Sequence, residues 1–523
     1  MKEFTQTHYE RYQNINHLHQ NCDLTCKVCD SKNILTRPAK YEEACYIYNM
    51  INTIYGINYE TLNSLSEKVS TFIAPDNKHY DEYRFLYNKL YNIYPAGLVV
   101  AKNNEDIINT IKFCNKNKIP FRIRSGGHAY YPASTAQYEI IIDLSELNKI
   151  LYINEKKIIV QAGIKLGFFI NECSKHNLIV PIGTCPTNGL GGFVAGGGCG
   201  FYQRNYGLAM DNLLGIKIIN WKGEILNLWK KDHEDLFWAC RGAGGGNFGI
   251  ITEYIFKPIK LAKVIVFTIK FDFNEKNLIK LIDVWQEWGY NLPNYITTAL
   301  TLHGPHVETD INGVMIPQIE SFEEDIKKLK YLCKDILELK IHKEFDFKLM
   351  TVKEASQYIA KGGYARPLFQ KIKSNLLTEK APLDLIKIWV KNMKQVDPKD
   401  IFNRIEFLMF GGKIAEIPEK DTAFAYRNAR FWAQYAAVWG DENEASKNIA
   451  WVNNLAHQVN RILPLKSARY VNFLDFDLPY DDAMQSYFGK HLPKLKEIKK
   501  KYDPHDIFHF EQSIKPDNEI KNI

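Results

Sequence analysis

Glycine is unevenly spread along this chain, and that distribution constrains the fold more than any other feature. Of 31 glycines in 523 residues, 16 fall between Gly183 and Gly249, where even spacing would put about four. Glycine permits positive φ and lets backbone approach a neighbour closely. A flexible linker would be Ser-rich and poor in apolar residues. This stretch instead carries Phe193, Val194, Phe201, Leu213, Leu214 and Trp238. The pattern reads as ordered backbone packed around something flat or anionic.

The flanking sequence alternates strand and helix signals, an α/β arrangement. Asn104 to Asn115 reads as a helix with Ile107, Ile108, Ile111 and Phe113 on its apolar face. Ile119 to Arg124 reads as a strand, as do Ile140 to Leu144 and Lys157 to Ala162, the last followed by a helix near Leu166 to His176. Leu213 to Ile219 and Glu224 to Leu228 read as paired strands around Lys222-Gly223. Asp235 to Arg241 reads as a short helix and Ile250 to Phe256 as a strand. Beyond Lys257-Pro258 the glycines thin out, helix periodicity and charge increase, and Val264 to Phe271 is strand-like. The polar, Tyr-rich start carries helical patterns at Tyr41 to Ile54 and Tyr59 to Phe72.

Several function classes find no support. Net charge is +7 without a concentrated block, so nucleic-acid binding is not indicated. No run of about 18 apolar residues exists, which argues against a membrane span. The N-terminus lacks an apolar signal-peptide core, leaving the cytoplasm as the expected compartment. Gly244 to Gly249 satisfies G-x-G-x-x-G, but a helix precedes it and a β-branched run follows. That inverts the strand–turn–helix context of a dinucleotide fingerprint. Cys22, Cys26 and Cys29, with Cys45, have a spacing compatible with an iron–sulfur cluster or zinc. Three ordinary thiols are the simpler reading, and no metal is expected.

Two loops carry sharper chemistry. Arg124-Ser125-Gly126-Gly127-His128 follows a strand, so consecutive backbone N–H groups can converge on phosphate while His128 faces the ligand. Gly183-Thr184-Cys185-Pro186-Thr187 opens the glycine cluster and offers Cys185 as a candidate reactive thiol. The blocks RSGGHAY, IIDLS, VQAG, GTCPTNGLGG, GGGCG, YGLAMDN and DLFWACRGAGGGNFGI occur in this order, followed by YVNFLDFDLP and KKKYDPHDIFHFEQSI.

Together these blocks resemble the FAD-linked oxidases of the vanillyl-alcohol-oxidase/PCMH superfamily, most closely the berberine-bridge-enzyme-like group. The resemblance implies an α+β fold: a PCMH-type FAD-binding domain of two α/β subdomains, plus a substrate domain with an antiparallel sheet flanked by helices. The boundaries it suggests are an extension over 1–93, the FAD domain over 94–260, the substrate domain over 261–464 and a returning C-terminal segment over 465–523. It implies FAD attached at two points, through His128 and Cys185. Arg124, Ser125, Gly126, Gly127 and Ala129 would complete the first cofactor loop. Gly189, Gly191, Gly192, Gly196 and Gly197 would form the second. Asn247, Gly249, Ile251 and Asn472 would close the cofactor site. Tyr470 and Tyr130 are the implied candidate bases, and Gln434 the polar substrate contact. This sequence has Phe193 where the family often has histidine, Cys199 where it often has tyrosine, and Asn188 near the flavin-linking cysteine.

The implied reaction is hydride transfer from an alcohol or sugar-like CH–OH donor to the flavin, with molecular oxygen as acceptor and a small molecule as substrate. Two alternatives stand beside it. One is oxidative cyclisation of a secondary metabolite, and the other is a flavin-loaded interaction protein with reduced catalysis.

Overall fold

The computed structural model describes residues 39–319, 321–360, 367–400 and 402–517. Cys22, Cys26 and Cys29 lie outside the described residues. Cys45 is disulfide-bonded, which withdraws it as a thiolate ligand. Among the described residues no group of His, Cys, Asp and Glu is placed to hold a metal ion, and no helix is long and apolar enough to cross a membrane.

Three sheets organise the chain. The first contains β1 (Phe72–Ile73), β2 (Gly97–Val100), β3 (Phe121–Arg124) and β4 (Ile140–Asp143), in the order β1-β2-β4-β3. β2, β4 and β3 run parallel, with β1 antiparallel at the edge. The helix Asn104–Asn117 makes the crossover from β2 to β3. The Asn103 side chain accepts the Asp106 N–H at its start, and Lys118 ends it in the left-handed region, φ 55°. Tyr59–Asn63 is helical, but the helical pattern expected to run to Phe72 breaks into a short 3-10 turn and then β1. Phe72 and Ile73 gain more by completing this sheet edge than by prolonging a helix. The helix Ala39–Tyr55 contributes Ala44, Ile47 and Ile51 to the same core.

The second sheet is antiparallel: β5 (Ile150–Ile153), β6 (Ile158–Gln161), β8 (Leu213–Ile219), β9 (Ile225–Trp229) and β10 (Ile250–Phe256), in the order β5-β6-β10-β8-β9. β7 (Leu178–Ile179) pairs with β11 (Ile259–Lys260) as a small clip. The third sheet has seven strands: β12 (Lys263–Phe271), β13 (Ile296–His303), β14 (Thr309–Met315), β15 (His342–Thr351), β16 (Phe369–Leu377), β17 (Arg404–Met409) and β18 (Phe431–Trp439). Their order is β15-β12-β14-β13-β17-β18-β16, and every pairing is antiparallel.

Period-two alternation gives this third sheet two unlike faces. Ile405, Phe407 and Met409 of β17 point into an apolar core with Trp285 and Trp389, which the helices Glu275–Asn291 and Leu383–Lys394 supply. Arg404, Glu406 and Leu408 therefore point the other way, toward the glycine-rich half of the molecule. Arg204 locks the two halves together. Its buried guanidinium donates to the carbonyls of Ile296, Phe410, Tyr290 and Leu292. A guanidinium with this many fixed acceptors satisfies its desolvation cost only when both halves are docked.

Candidate active site

A cavity of about 360 Å³ opens where the two α/β sheets meet the polar face of the seven-stranded sheet. The loop after β3 and the loop around Cys185 form one wall. They cross so closely that a Cβ on Gly126 would collide with the Gly189 backbone nitrogen, and a Cβ on Gly189 would collide with that of Gly126. Gly127 adopts φ 67°, which turns the chain so that His128 and Ala129 face the cavity. Ser125 lines the wall while its Oγ donates to the Ala162 carbonyl at 2.7 Å.

His128 stacks on Tyr87, with ring centroids 3.8 Å apart and planes at 23°. Burial, aided by the nearby Lys165 ammonium, pushes the imidazole down to about 3. The ring is therefore neutral at physiological pH and keeps a nucleophilic lone pair. Cys185 is a free, half-buried thiol whose Sγ lies 3.6 Å from Thr187 Oγ1. Burial pushes this thiol up. His128 and Cys185 line the same cavity.

Gly191, Gly192, Gly249, Ile251 and Asn247 extend the wall. Asn247 is buried; its amide donates to the Ala243 carbonyl at 3.0 Å and its Oδ1 accepts the Ile514 N–H at 2.9 Å. Lys499 makes the second tie to the returning C-terminal segment, donating to Asn247 O at 2.8 Å, Phe508 O at 2.6 Å and Asp503 Oδ2 at 2.7 Å. These bonds explain why a tail some 260 residues downstream of the glycine cluster can bring Phe508, His509 and Phe510 to the cavity.

Tyr470 and Asn472 reach the cavity from the start of that segment. The Tyr470 hydroxyl accepts the Gly198 N–H at 2.9 Å and the Asn472 amide at 3.0 Å. Asn472 also donates to the Phe193 carbonyl at 2.9 Å. Phe193 is part of the wall and leaves the cavity open. Three of the expected cofactor residues are not part of the lining. Arg124 turns away, donating to the Tyr83 and Arg84 carbonyls with Asp143 3.7 Å off. Gly196 and Gly197 lie behind the surface, Gly196 against Asn472 and Gly197 against Tyr470.

The seven-stranded sheet supplies the opposite wall. Gln434 on β18 donates through Nε2 to the Tyr130 hydroxyl at 3.3 Å, so the structure brings these two expected residues together. Four further residues join them that the sequence reading did not single out: Gln370, Glu406, Leu408 and Trp432. Glu406 is the cross-strand partner of Gln434, and Leu408 of Trp432. Gln370 is buried and its Oε1 has no hydrogen-bond partner. Arg122 also lines the cavity, held by Glu139 at 2.8 Å and the His509 carbonyl at 2.7 Å. Its signal was available as the alternate position to Arg124 on a strand entering the loop. The sheet residues had no such signal, because register between distant strands is not written locally.

A long, flat redox cofactor fits this cleft. A Cβ at Gly192 would meet no atom within 4 Å, and one at Gly245 none nearer than 3.7 Å, so bare backbone faces open space there. A neutral imidazole and a free thiol approach from adjoining loops, and polar side chains wait on the far wall. These features define a flavin-dependent oxidoreductase with a substrate chamber against an antiparallel sheet.

Comparison with known proteins gives the same class. Residues 95–228 match the family described as FAD binding domain, and residues 469–515 the family described as berberine and berberine like. The chain is 30% identical over 439 residues to YvdP of Bacillus subtilis, described as an uncharacterized FAD-linked oxidoreductase, covering 82% of this chain and 94% of that one. It is 28% identical over 494 residues to a monolignol oxidoreductase of Arabidopsis thaliana, covering 87% and 88%. A solved chitooligosaccharide oxidase shares the fold, with TM-score 0.78 and 22% identity over 88% of this chain and 100% of that one. The protein belongs to the berberine-bridge-enzyme-like FAD-linked oxidoreductases of the PCMH superfamily.

Proposed function

We propose that this enzyme oxidises a CH–OH donor, an alcohol or sugar-like molecule, with FAD linked covalently through His128 and Cys185. The observation that carries the reading is the placement of both side chains on one cavity wall, facing Gln434 of the sheet, which bonds Tyr130 of the His128 loop. A relative named for monolignols and a fold neighbour named for chitooligosaccharides support the donor class. When bound, FAD supplies the two-electron acceptor for a hydride equivalent. Molecular oxygen is the proposed final acceptor.

The chain's own residues do the rest. Gln434 Nε2 donates to the Tyr130 oxygen, which leaves the Tyr130 proton free to be offered to a substrate oxygen. Burial pushes the Tyr130 phenol well above its usual range, so that proton stays on at neutral pH. Trp432, Leu408, Phe473 and Leu474 give the chamber an apolar lining that excludes water. Gln370 Oε1 offers an acceptor to a second donor hydroxyl.

The test is direct. The purified protein is precipitated with acid, and yellow colour is expected to stay in the pellet. His128→Ala and Cys185→Ala are each expected to keep covalent colour, and the double variant to release it all to the supernatant. His128 is poised as a neutral nucleophile whereas the Cys185 thiol is held protonated by burial. Cys185→Ala should therefore retain more covalent flavin than His128→Ala. Release of all colour from the wild type defeats the covalent reading. A screen of alcohols and sugars for anaerobic bleaching, with oxygen uptake on re-aeration, tests donor and acceptor.

A further inference from the structure

Lys165 touches both loops that would carry the flavin links, and the scheme so far gives it no part. It stands just before the helix Leu166–Ser174, and its backbone pairs with Gly189 in an antiparallel bridge. The next two residues tighten that contact. Leu166 N–H donates to the Asn188 carbonyl at 2.9 Å and Gly167 N–H to the Pro186 carbonyl at 3.0 Å. A Cβ on Gly167 would come within 2.7 Å of Pro186. The chain at Lys165 is thereby fixed against the segment that begins at Cys185. Its side chain reaches the other loop, where Nζ donates to the Gly126 carbonyl at 3.2 Å, two residues before His128.

The ammonium is half-buried, and among the described residues it makes no ion pair. Asp143, whose charge it feels, stands instead against Arg124 at 3.7 Å. Burial pushes Lys165 below its usual range; Asp143 opposes this, Arg124 adds to it, and a Cys185 anion opposes it. A partly desolvated cation without a paired carboxylate is favoured by an anion close by. The Lys165 charge acts on both linking side chains. It helps burial keep His128 neutral. Burial, the largest influence on Cys185, pushes the thiol up, while hydrogen bonds from Thr187 and Asn188 and the Lys165 charge pull it back. The other titratable groups that feel Cys185 are the Tyr87 and Tyr130 phenols, both pushed up by burial and neutral at working pH.

We propose that Lys165 is a positioning residue for covalent flavin attachment, holding the two loops together and using its charge to ready Cys185 for bond formation. The proposal rests on the covalent reading above. As the Cys185 link closes, the S–H proton is lost and the sulfur electron pair forms the bond to the flavin ring. The ring carbon that is bonded loses its hydrogen as a proton. The two electrons released by this oxidation, with two protons, reduce dioxygen to hydrogen peroxide. Lys165 acts at the first stage, by stabilising the sulfur anion. His128 bonds as a neutral imidazole and needs no such help.

The test uses the full chain made flavin-free in riboflavin-starved cells, as wild type, Lys165→Met and Lys165→Arg. One readout needs no flavin: alkylation of Cys185 by iodoacetamide, followed by the mass of its peptide. An opposite charge close by lowers a pKa by about one unit or more, so Lys165→Met is expected to alkylate about tenfold more slowly at pH 7 and to recover as pH rises. Lys165→Arg keeps the charge and should stay within about twofold of wild type. The second readout follows addition of FAD in air, with the flavin-bearing His128 and Cys185 peptides counted separately. In Lys165→Met the Cys185 link is expected to form about tenfold more slowly at pH 7 and to recover at higher pH, while the His128 link moves less than about twofold. A wild type that forms both links, with Lys165→Met alkylated and linked as fast, overturns the Lys165 role alone. So does a Lys165→Met variant that is slow at both residues at every pH, which would show a purely structural part. Lys165→Arg as slow as Lys165→Met overturns it too. A wild type that takes up FAD and links it at neither residue overturns the covalent reading and the Lys165 role together.

Discussion

The two walls of the cleft are built by different means. The loop wall is backbone: Gly126 and Gly189 cross with no room for a Cβ, and Gly192 presents bare chain to the cavity. The sheet wall is side chain: Gln370, Glu406, Trp432 and Gln434 project from three strands in register. A backbone wall tolerates almost no change, because any side chain alters the shape that grips the cofactor. A side-chain wall can exchange residues while the strands stay put, as the opposite face of β17 is fixed by Ile405, Phe407 and Met409. Cofactor binding is thereby held constant while the substrate chamber is free to vary.

The largest expected effect comes from breaking the loop wall. Gly126→Ala drives a methyl into Gly189, whose neighbours cannot retreat. Leu190 N–H is bonded to the Ile164 carbonyl at 2.9 Å and Gly191 N–H to the Ala162 carbonyl at 2.8 Å. Ordinary overpacking costs about 1–3 kcal/mol, but here the methyl would run into the backbone of Gly189 and Asn188 with no side chain able to move aside, so the expected cost lies beyond that range and takes the cofactor wall with it. The expectation is a protein that accumulates poorly and carries little flavin, read by soluble yield and by the ratio of visible to ultraviolet absorbance. A Gly126→Ala protein of wild-type stability and colour would mean that the loops do not meet as described.

Next in size is the junction between the walls. Lys373 of β16 donates to Asp475 at 2.7 Å and to Asp477 at 2.8 Å, Lys371 pairs with Asp477 at 2.7 Å, and the Tyr131 hydroxyl, three residues after His128, donates to Asp475 at 3.0 Å. This buried cluster ties the sheet to the cofactor loop and the C-terminal segment. Removing one partner of a buried pair costs about 3–5 kcal/mol, so Asp475→Asn is expected to lower the urea midpoint strongly. Burial alone would raise Asp477, yet Lys373 and Lys371 hold it well below the usual carboxylate range. Its depressed folded-state value means the contribution is present above the unfolded carboxylate range, near pH 4, and is lost as pH falls below it. An Asp477→Asn variant should therefore differ from wild type at pH 7 and converge with it in acid.

The difference between the walls also decides what could be read from the sequence. The loop wall is contiguous: SGGH, GTCP and the glycine cluster stand within about 125 residues, and the glycines that close approach requires mark it directly. The strands Leu213–Ile219 and Ile250–Phe256 were legible to the residue from their β-branched runs. Glu406 was not, because nothing local shows which of two alternating residues faces the cleft, or that β17 lies beside β18. Arg124 was misplaced for a different reason: it lies two residues from Arg122 and so on the same face of β3, but its long side chain is drawn to the Tyr83 and Arg84 carbonyls instead of the cavity. Phe72 was read as helix because apolar residues at helical spacing do not reveal an available sheet edge.

A smaller effect sharpens the sheet wall. Burial first, and then the Glu406 charge, push Asp310 up to about 7. The folded state thus holds this proton more tightly than the unfolded chain does. Below about pH 4 both states are protonated and the residue is neutral to stability; as pH rises to 7 the folded state bears a growing cost. Asp310→Asn is expected to match wild type in acid and to exceed it above pH 7, measured as the difference in urea midpoints across that range. In a Glu406→Gln background the gap should shrink, since one of the two causes has gone. A gap unaffected by Glu406→Gln would show that the two carboxylates do not share the sheet face.

The smallest effect on stability belongs to Gly192→Ala, and it separates shape from folding. Gly192 has no positive φ among the glycines that do, and a methyl there would touch nothing within 4 Å. In the short helix Leu190–Ala195 the change from glycine to alanine is favourable by up to about 1 kcal/mol. The flavin-free protein is therefore expected to melt at or slightly above the wild-type temperature. The methyl projects into the space where the backbone meets the cofactor, so flavin loading should fall while folding is undamaged. Reconstitution of flavin-free protein with FAD, followed by absorbance, measures this. Equal loading in Gly192→Ala and wild type would place the cofactor away from this stretch of backbone. A loss of stability without a loss of loading would mean that the space is filled by the protein itself.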